Sequence, residues 1–370
     1  MSSEAAPRIH RGLVGVPIGS TKLSNIDGQA GKLFYRGIPI EDLADGSSYE
    51  AVVFLLLYGD YPTPLQLSDF KKRMAEYREL PPVISDIVAS CRHVSPTTAL
   101  QVGLAALEEE DDSGRPLDEL ALKVISATAS IICTHHALRN DETVLSPDLT
   151  LDHASDFYRR LIRRSPTPLE HDLINLDFVL HADHGANAST TVARVAASAR
   201  ASLSGAISAA FAALCGPKHG GAPAAVAELL DGIDTVAGAR ALAKEYRDKS
   251  LAFPGFGHRV YKVQDPRVSL YRSGIERWIE STGSETLVSL DLVDGLIEEM
   301  KPFLRMGIAP NDDLLATVLY NVLQIPTDLF TCLFAASRSV GWAAHYMECI
   351  ANGDEPIPDL FYEDAGVATE

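Results

Sequence analysis

Apolar residues recur with helical spacing along nearly the whole chain, and this limits the fold more than any other feature. Ala and Leu are abundant, while Val, Ile and Thr seldom alternate with polar residues as a half-buried strand requires. The exception is Lys22 to Ile40, where GKLFYRG, framed by Gly28, Gly31 and Gly37, reads as a short strand or hairpin. Next, SSYEAVVFLLLYGD reads as a helix capped by Ser47 or Ser48 and stopped at Gly59, with Pro62 beyond. Residues 64–175 read as amphipathic helices separated by Pro81-Pro82, a polar turn at 108–116 and SPTP at 165–168. The Ala-rich run 187–215 permits close helix approach and predicts a buried central helix or a kinked pair. The last helices run through residues 325–351. The chain is therefore expected to be mostly α-helical.

At 370 residues, two or three domains are the natural division. A net charge of −18 argues against nucleic acid, whose phosphates need a basic face. If the substrate is anionic, Arg and His must gather locally against that field. Cys91, Cys133, Cys215, Cys332 and Cys349 are scattered with no CxxC, which suits a reducing compartment. The segment MSSEAAPRIHRG lacks the apolar core of a signal peptide. The stretch 188–215 is broken by Arg194 and Arg200, too early for a membrane span. A soluble, cytoplasmic protein is expected.

Histidines stand in four distinctive settings: HADH at 181–184, GPKHGG at 216–221, GFGHRVY at 255–261 and AAHYME around His345. Glycine on either side of a histidine puts the imidazole on an irregular loop, where backbone can approach a ligand closely. His219 precedes a helix start marked by Pro223, and a helix N-terminus disfavours imidazolium. A neutral ring there can donate to a carbonyl; a capping or structural role is the alternative. His258 has Arg259, Lys262 and Arg267 nearby, which suits an anion or a carrier's phosphates, or else a solvated basic loop. Asp313 opens an apolar helix and by itself reads as a helix-start acid, with Asn311 or Asp312 as the N-cap. HADH offers two imidazoles at i, i+3 on one helical face, yet no HExxH and no third ligand at telling spacing accompany it, so no metal is expected.

Taken in order, SNIDGQAGKLFYRGIPIEDLA, SSYEAVVFLLLYG, HADHGANAST, GPKHGGA, GFGHRVYKVQDPR, PNDD and QIPTDLFTCLFAASRSVGWAAH resemble the citrate synthase family over most of the chain. The resemblance implies a large helical domain (1–218 and 319–370) and a smaller one (219–318), with the active site in the cleft, in a homodimer. It implies that His219 polarises the thioester carbonyl of acetyl-CoA, Asp313 removes the methyl proton, and His258 hydrogen-bonds and protonates the oxaloacetate carbonyl. His184, Arg267 and Arg338 would hold oxaloacetate, and Arg259 and Lys262 would meet CoA. No cofactor is implied, since the CoA thioester is a substrate. Propionyl-CoA giving 2-methylcitrate is the alternative reading of the same residues.

Three departures bear on that reading. Pro223 stands where the family usually has Asn, and Asp312 where it has an apolar residue, which sets a like charge beside Asp313. The family's C-terminal arginine, given across the dimer to a substrate carboxylate, has no counterpart in Glu355-Pro356-Ile357-Pro358-Asp359. Losing one charged hydrogen bond weakens binding by roughly 1.5–3 kcal/mol. These departures also admit a relative that binds CoA or a dicarboxylate but turns over poorly.

Overall fold

The computed structural model describes residues 15–107, 114–217, 219–283 and 290–357. Most of the polar turn at 108–116, Lys218, and the C-terminal residues from Pro358 onward lie outside them.

The chain opens with the expected hairpin. Strands β1 (Ser24–Asp27), β2 (Lys32–Tyr35) and β3 (Ile38–Pro39) form a small antiparallel sheet in the order β1-β2-β3, with Asp27 opposite Lys32 and Phe34 opposite Pro39. Helices follow: α1 (Ile40–Ala44), α2 (Tyr49–Tyr58), α3 (Pro64–Glu76), α4 (Pro82–Ser90), α5 (Pro96–Ala106), α6 (Leu117–Arg139), α7 (His153–Ile162) and α8 (Pro168–His181). Then come α9 (Ala188–Ser198), α10 (Leu203–Leu214), α11 (Ala222–Leu230), α12 (Val236–Asp248), α13 (Pro266–Thr282), α14 (Leu290–Met300), α15 (Asp312–Val322) and α16 (Phe330–Asn352). The punctuation works as read. Ser48 caps α2 by accepting from the Ala51 N–H, and Gly59 ends it at φ 99°, a left-handed conformation that costs glycine little.

Two long helices, α6 and α16, form the centre and are buried along most of their lengths. Residues 187–215 form a broken pair rather than one helix. The chain turns at Arg200, which has φ 58°, and Ser202 recaps it by accepting from the Gly205 N–H. Both helices pack on each other and on α16. The approach of α16 to the HADH segment is tight at Gly341: a Cβ there would stand 2.5 Å from the Ala182 carbonyl oxygen. From α11 onward a second group forms, with α12 on α14, α13 on α15 and α11 on α15. Among the described residues no helix is long and apolar enough to cross a membrane.

One local expectation fails. His181 is the last residue of α8 and Ala182 caps it, so Asp183 and His184 lie past the helix. The two imidazoles therefore do not share a helical face, and their contacts diverge, as set out below.

Candidate active site

Three irregular segments converge on one cavity of about 480 Å³: the turn before α9, the loop between α10 and α11, and the loop before α13 joined to the start of α15. Its lining includes His184, His219, His258, Asp313, Arg267 and Arg338. Arg259 also reaches it from an exposed position, whereas Lys262 points to solvent outside the lining.

The loop of His258 and the start of α15 are stitched together by main chain. Phe256 pairs with Pro310 in an isolated antiparallel bridge, the Gly257 N–H donates to the Ala309 carbonyl at 2.7 Å, and the Asn311 N–H donates to the Gly255 carbonyl at 3.0 Å. Asn311 holds the N-cap position of α15 but makes no capping bond; its Nδ2 donates instead to the Gly257 carbonyl at 2.9 Å. The N-terminal hairpin braces the loop from outside. Gly28 lies so close that a Cβ there would be 2.3 Å from the Val260 carbonyl oxygen, and the Gly28 carbonyl accepts from the Lys262 N–H at 2.8 Å.

The two loop histidines are held with opposite nitrogens free. At His258, Nδ1 accepts from the Val260 and Tyr261 N–H groups at 3.0 and 3.1 Å, which places the ring proton on Nε2. At His219, the Ser189 N–H donates to Nε2 from 3.4 Å, which places the proton on Nδ1; Ser189 Oγ lies 2.8 Å from the same nitrogen and donates to Asn187 Oδ1. Burial, then the charge of Arg338, pushes His219 down to about 4, so the ring is neutral as expected, with burial rather than the helix dipole as the main cause. His258 is lowered by burial and by Arg267, and His184 is lowered further by the same two effects. His184 is anchored by Tyr261, whose hydroxyl lies 3.2 Å from Nε2, and its ring meets that of His258 edge-on at 5.1 Å.

Asp313 behaves oppositely. Burial, then the charge of Asp312, raises its pKa to about 8. Asp312 stays ionised despite burial because Arg267 and His181 face it. His181 belongs to this network: Nδ1 lies 3.2 Å from Asp177 and Nε2 3.1 Å from Asp312. Burial alone would strip its proton, but the two carboxylates raise its pKa. Arg267 has two tethers. Asp265 accepts from its Nε and Nη2 at 3.0 and 2.6 Å, and Asp312 meets its Nη1 at 2.5 Å. Arg338 is different: Nε donates to the His181 carbonyl at 2.5 Å and the guanidinium lies over Phe334 at 4.7 Å, with no carboxylate partner among the described residues. Glu355 to Ile357 bring no cation near, and Pro358 and Asp359 lie outside the described residues.

Three contributors escaped the sequence reading, Ser189, Tyr261 and Asp265, while His181 was singled out only as one of the HADH imidazoles and not as a partner of Asp312. Asp265 carried a usable signal, since Asp before Pro is a helix-start pattern, and it does cap α13. The others act through contacts that no spacing displays. His184, His258 and Asp265 also place ligand atoms within 4.8 Å of one another, a spacing a metal ion could use. Both Asp265 oxygens already accept from Arg267, however, so a cation there would face a guanidinium.

A family model described as citrate synthase, C-terminal domain, matches residues 12–357. The chain is 35% identical over 352 residues to a citrate synthase from Haloferax volcanii, covering 92% of both chains. It is 30% identical over 365 residues to a 2-methylcitrate synthase from Shewanella oneidensis, covering 97% of this chain and 96% of that one. Among solved structures, the ternary complex of carboxymethyl coenzyme A and oxaloacetate with citrate synthase from Thermoplasma acidophilum superposes with a TM-score of 0.89 at 28% identity, covering 98% of each chain. With the family model and the relatives spanning nearly the whole length, the chain belongs to the citrate synthase family.

Proposed function

We propose that this chain is a citrate synthase, condensing acetyl-CoA with oxaloacetate to citrate and CoA. One observation carries the assignment: two neutral imidazoles with opposite tautomers and a carboxyl of raised pKa share one cavity with an arginine bonded to no carboxylate among the described residues. A thioester α-proton is a weak acid, and an ordinary carboxylate is a poor base for it. A carboxylate whose conjugate acid has a pKa near 8 is a stronger base, and a neutral imidazole donor facing the developing oxyanion lowers the barrier further.

Asp313 takes the methyl proton while His219 Nδ1–H stabilises the enol oxygen. The enol carbon attacks the ketone of oxaloacetate, and His258 Nε2–H supplies the proton to the alkoxide that forms. His184 and Arg338 orient oxaloacetate, with Arg267 behind them, because a planar guanidinium grips a carboxylate through two parallel bonds. Water then cleaves the citryl thioester and CoA leaves as its thiol. Arg259 on the cavity rim suits the phosphates of CoA, and Lys262 is its more distant companion. Residues 219–318 act as the smaller domain that closes over the substrates and excludes water. The working unit is a homodimer, which sedimentation would test. The five free thiols suit a reducing cytoplasm.

The deciding assay follows thiol release from acetyl-CoA with and without oxaloacetate. Release only with oxaloacetate is expected, and Asp313→Asn abolishes it while the fold is kept. Binding of CoA or a dicarboxylate without release would make the chain a ligand-binding relative. The similarity to the Shewanella enzyme carries a second reading, 2-methylcitrate synthesis from propionyl-CoA. The ratio of kcat/KM for the two thioesters decides between them.

A further inference from the structure

Five ionisable groups run through the protein beneath the cavity in alternating sign: Asp177, His181, Asp312, Arg267 and Asp265. All five are buried, at 0%, 0%, 5%, 2% and 0% exposure. Arg267 spends both edges of its guanidinium within this chain of charges, one on Asp265 and one on Asp312. Asp312 shares one oxygen, Oδ2, between Arg267 Nη1 and His181 Nε2, and it also lines the cavity. Arg338, 1% exposed, bonds to a carbonyl and lies over a ring, and no carboxylate is bonded to it among the described residues, although the charges of Asp183 and, less strongly, Asp312 act on it from farther off. No Lys or Arg follows Arg338 anywhere in the chain.

We propose that Asp312 is a specificity-determining residue that competes with the second carboxylate of the acceptor for Arg267, so that the site grips one carboxylate strongly, through Arg338, and the other weakly. An anion reaching Arg267 must displace or share an internal carboxylate already bonded to it, and it meets that carboxylate's charge at close range. An anion at Arg338 has no bonded carboxylate to displace among the described residues, and Asp183 opposes it only from longer range. This deepens the reading of the chain as a citrate synthase, and it rests on that reading for the nature of the acceptor. Asp312 acts through Arg267 and is a positioning residue, with no part in the bond changes.

The test uses the full-length protein and two probes that differ by one carboxylate, L-malate and L-lactate, with dissociation constants measured by calorimetry. Wild type should prefer malate to lactate by less than about tenfold. Asp312→Asn keeps an acceptor for Arg267 or His181 while removing the charge. It should tighten malate at least fivefold, change lactate less than twofold, and lower KM for oxaloacetate in parallel. A merely structural residue would not improve affinity when replaced, still less for one probe only. A wild-type preference for malate of about tenfold or more overturns the proposal, as does an Asp312→Asn variant that tightens malate less than fivefold, leaves it unchanged or weakens it. If that variant does not fold, the wild-type ratio alone can still overturn the proposal. Absence of thiol release would count against the proposed reaction, whereas the malate-to-lactate ratio bears on Asp312 alone.

Discussion

Replacing the half-buried base Asp313 with its neutral isostere should stabilise this protein, and increasingly so as the pH rises. Asp313 titrates near 8 in the folded chain and near the ordinary 3.9 once unfolded. Its carboxyl is faced by Asp312 on its own helix, His181 at the end of α8, and Arg267 and Asp265 at the start of α13. Between those two pKa values the folded state binds the extra proton, so stability falls as pH rises through the window from about 4 to about 8. At pH 7 the difference spans about three pH units, or ~4 kcal/mol at 1.36 kcal/mol per unit. Because Asp313 also meets solvent in the cavity, about 2 kcal/mol is the working expectation. Asp313→Asn removes the ionisable group, so its stability relative to wild type should be near zero at pH 4 and grow to that size by pH 8. Urea midpoints of both proteins at pH 4, 6 and 8 give the comparison. A difference independent of pH would refute the argument, because it would mean that Asp313 ionises in the fold as readily as in water. The same titration predicts that kcat/KM rises with pH through a midpoint near 8 and levels off above it, since the base acts only when ionised. That acid limb belongs to the Asp312–Asp313 pair rather than to either group alone.

Other perturbations probe the supports of the site. Ser189→Ala keeps the backbone N–H that points at Nε2 of His219 but removes the hydroxyl beside that ring, which links Asn187 and Trp342, and it should lower kcat roughly tenfold with little change in KM for acetyl-CoA, read from steady-state kinetics. Gly28→Ala forces a methyl against the Val260 carbonyl and should displace the His258 loop, lowering kcat more than it lowers the melting temperature, as paired activity and thermal scans would show. Gly341→Ala drives a Cβ into the Ala182 carbonyl between α16 and the HADH turn, and should cost about 1–3 kcal/mol of stability by denaturant titration.

What the sequence displayed and what it hid follow from the range of the interactions. The cap at Ser48, the stop at Gly59 and the hairpin around Gly31 depend on residues a few places apart, and all were legible. The break at Arg200 was legible only as a possibility, because its left-handed turn needs no glycine. HADH misled, since its i, i+3 spacing suggests a helix, yet α8 ends at its first residue and the two histidines serve different networks. Asp313 looked like a helix-start acid, and that is its position in α15. Its raised pKa arises first from burial, which a linear pattern does not show, and then from Asp312, which it does. Ser189 and Tyr261 were invisible because each matters only through a histidine that the folded chain brings beside it.

The bracing of the His258 loop by the N-terminal hairpin has a consequence for how the protein is made. The hairpin leaves the ribosome well before its partners: Ser24 meets Asp183, 159 residues away, and Gly28 meets Lys262 later still. Until those segments are synthesised, a small sheet with its inner face unpaired must wait in the open. Contacts of such long range form slowly, after the helical core that can assemble locally. The active site is thus completed near the end of folding, so that enzyme activity during refolding should lag behind the recovery of helical signal.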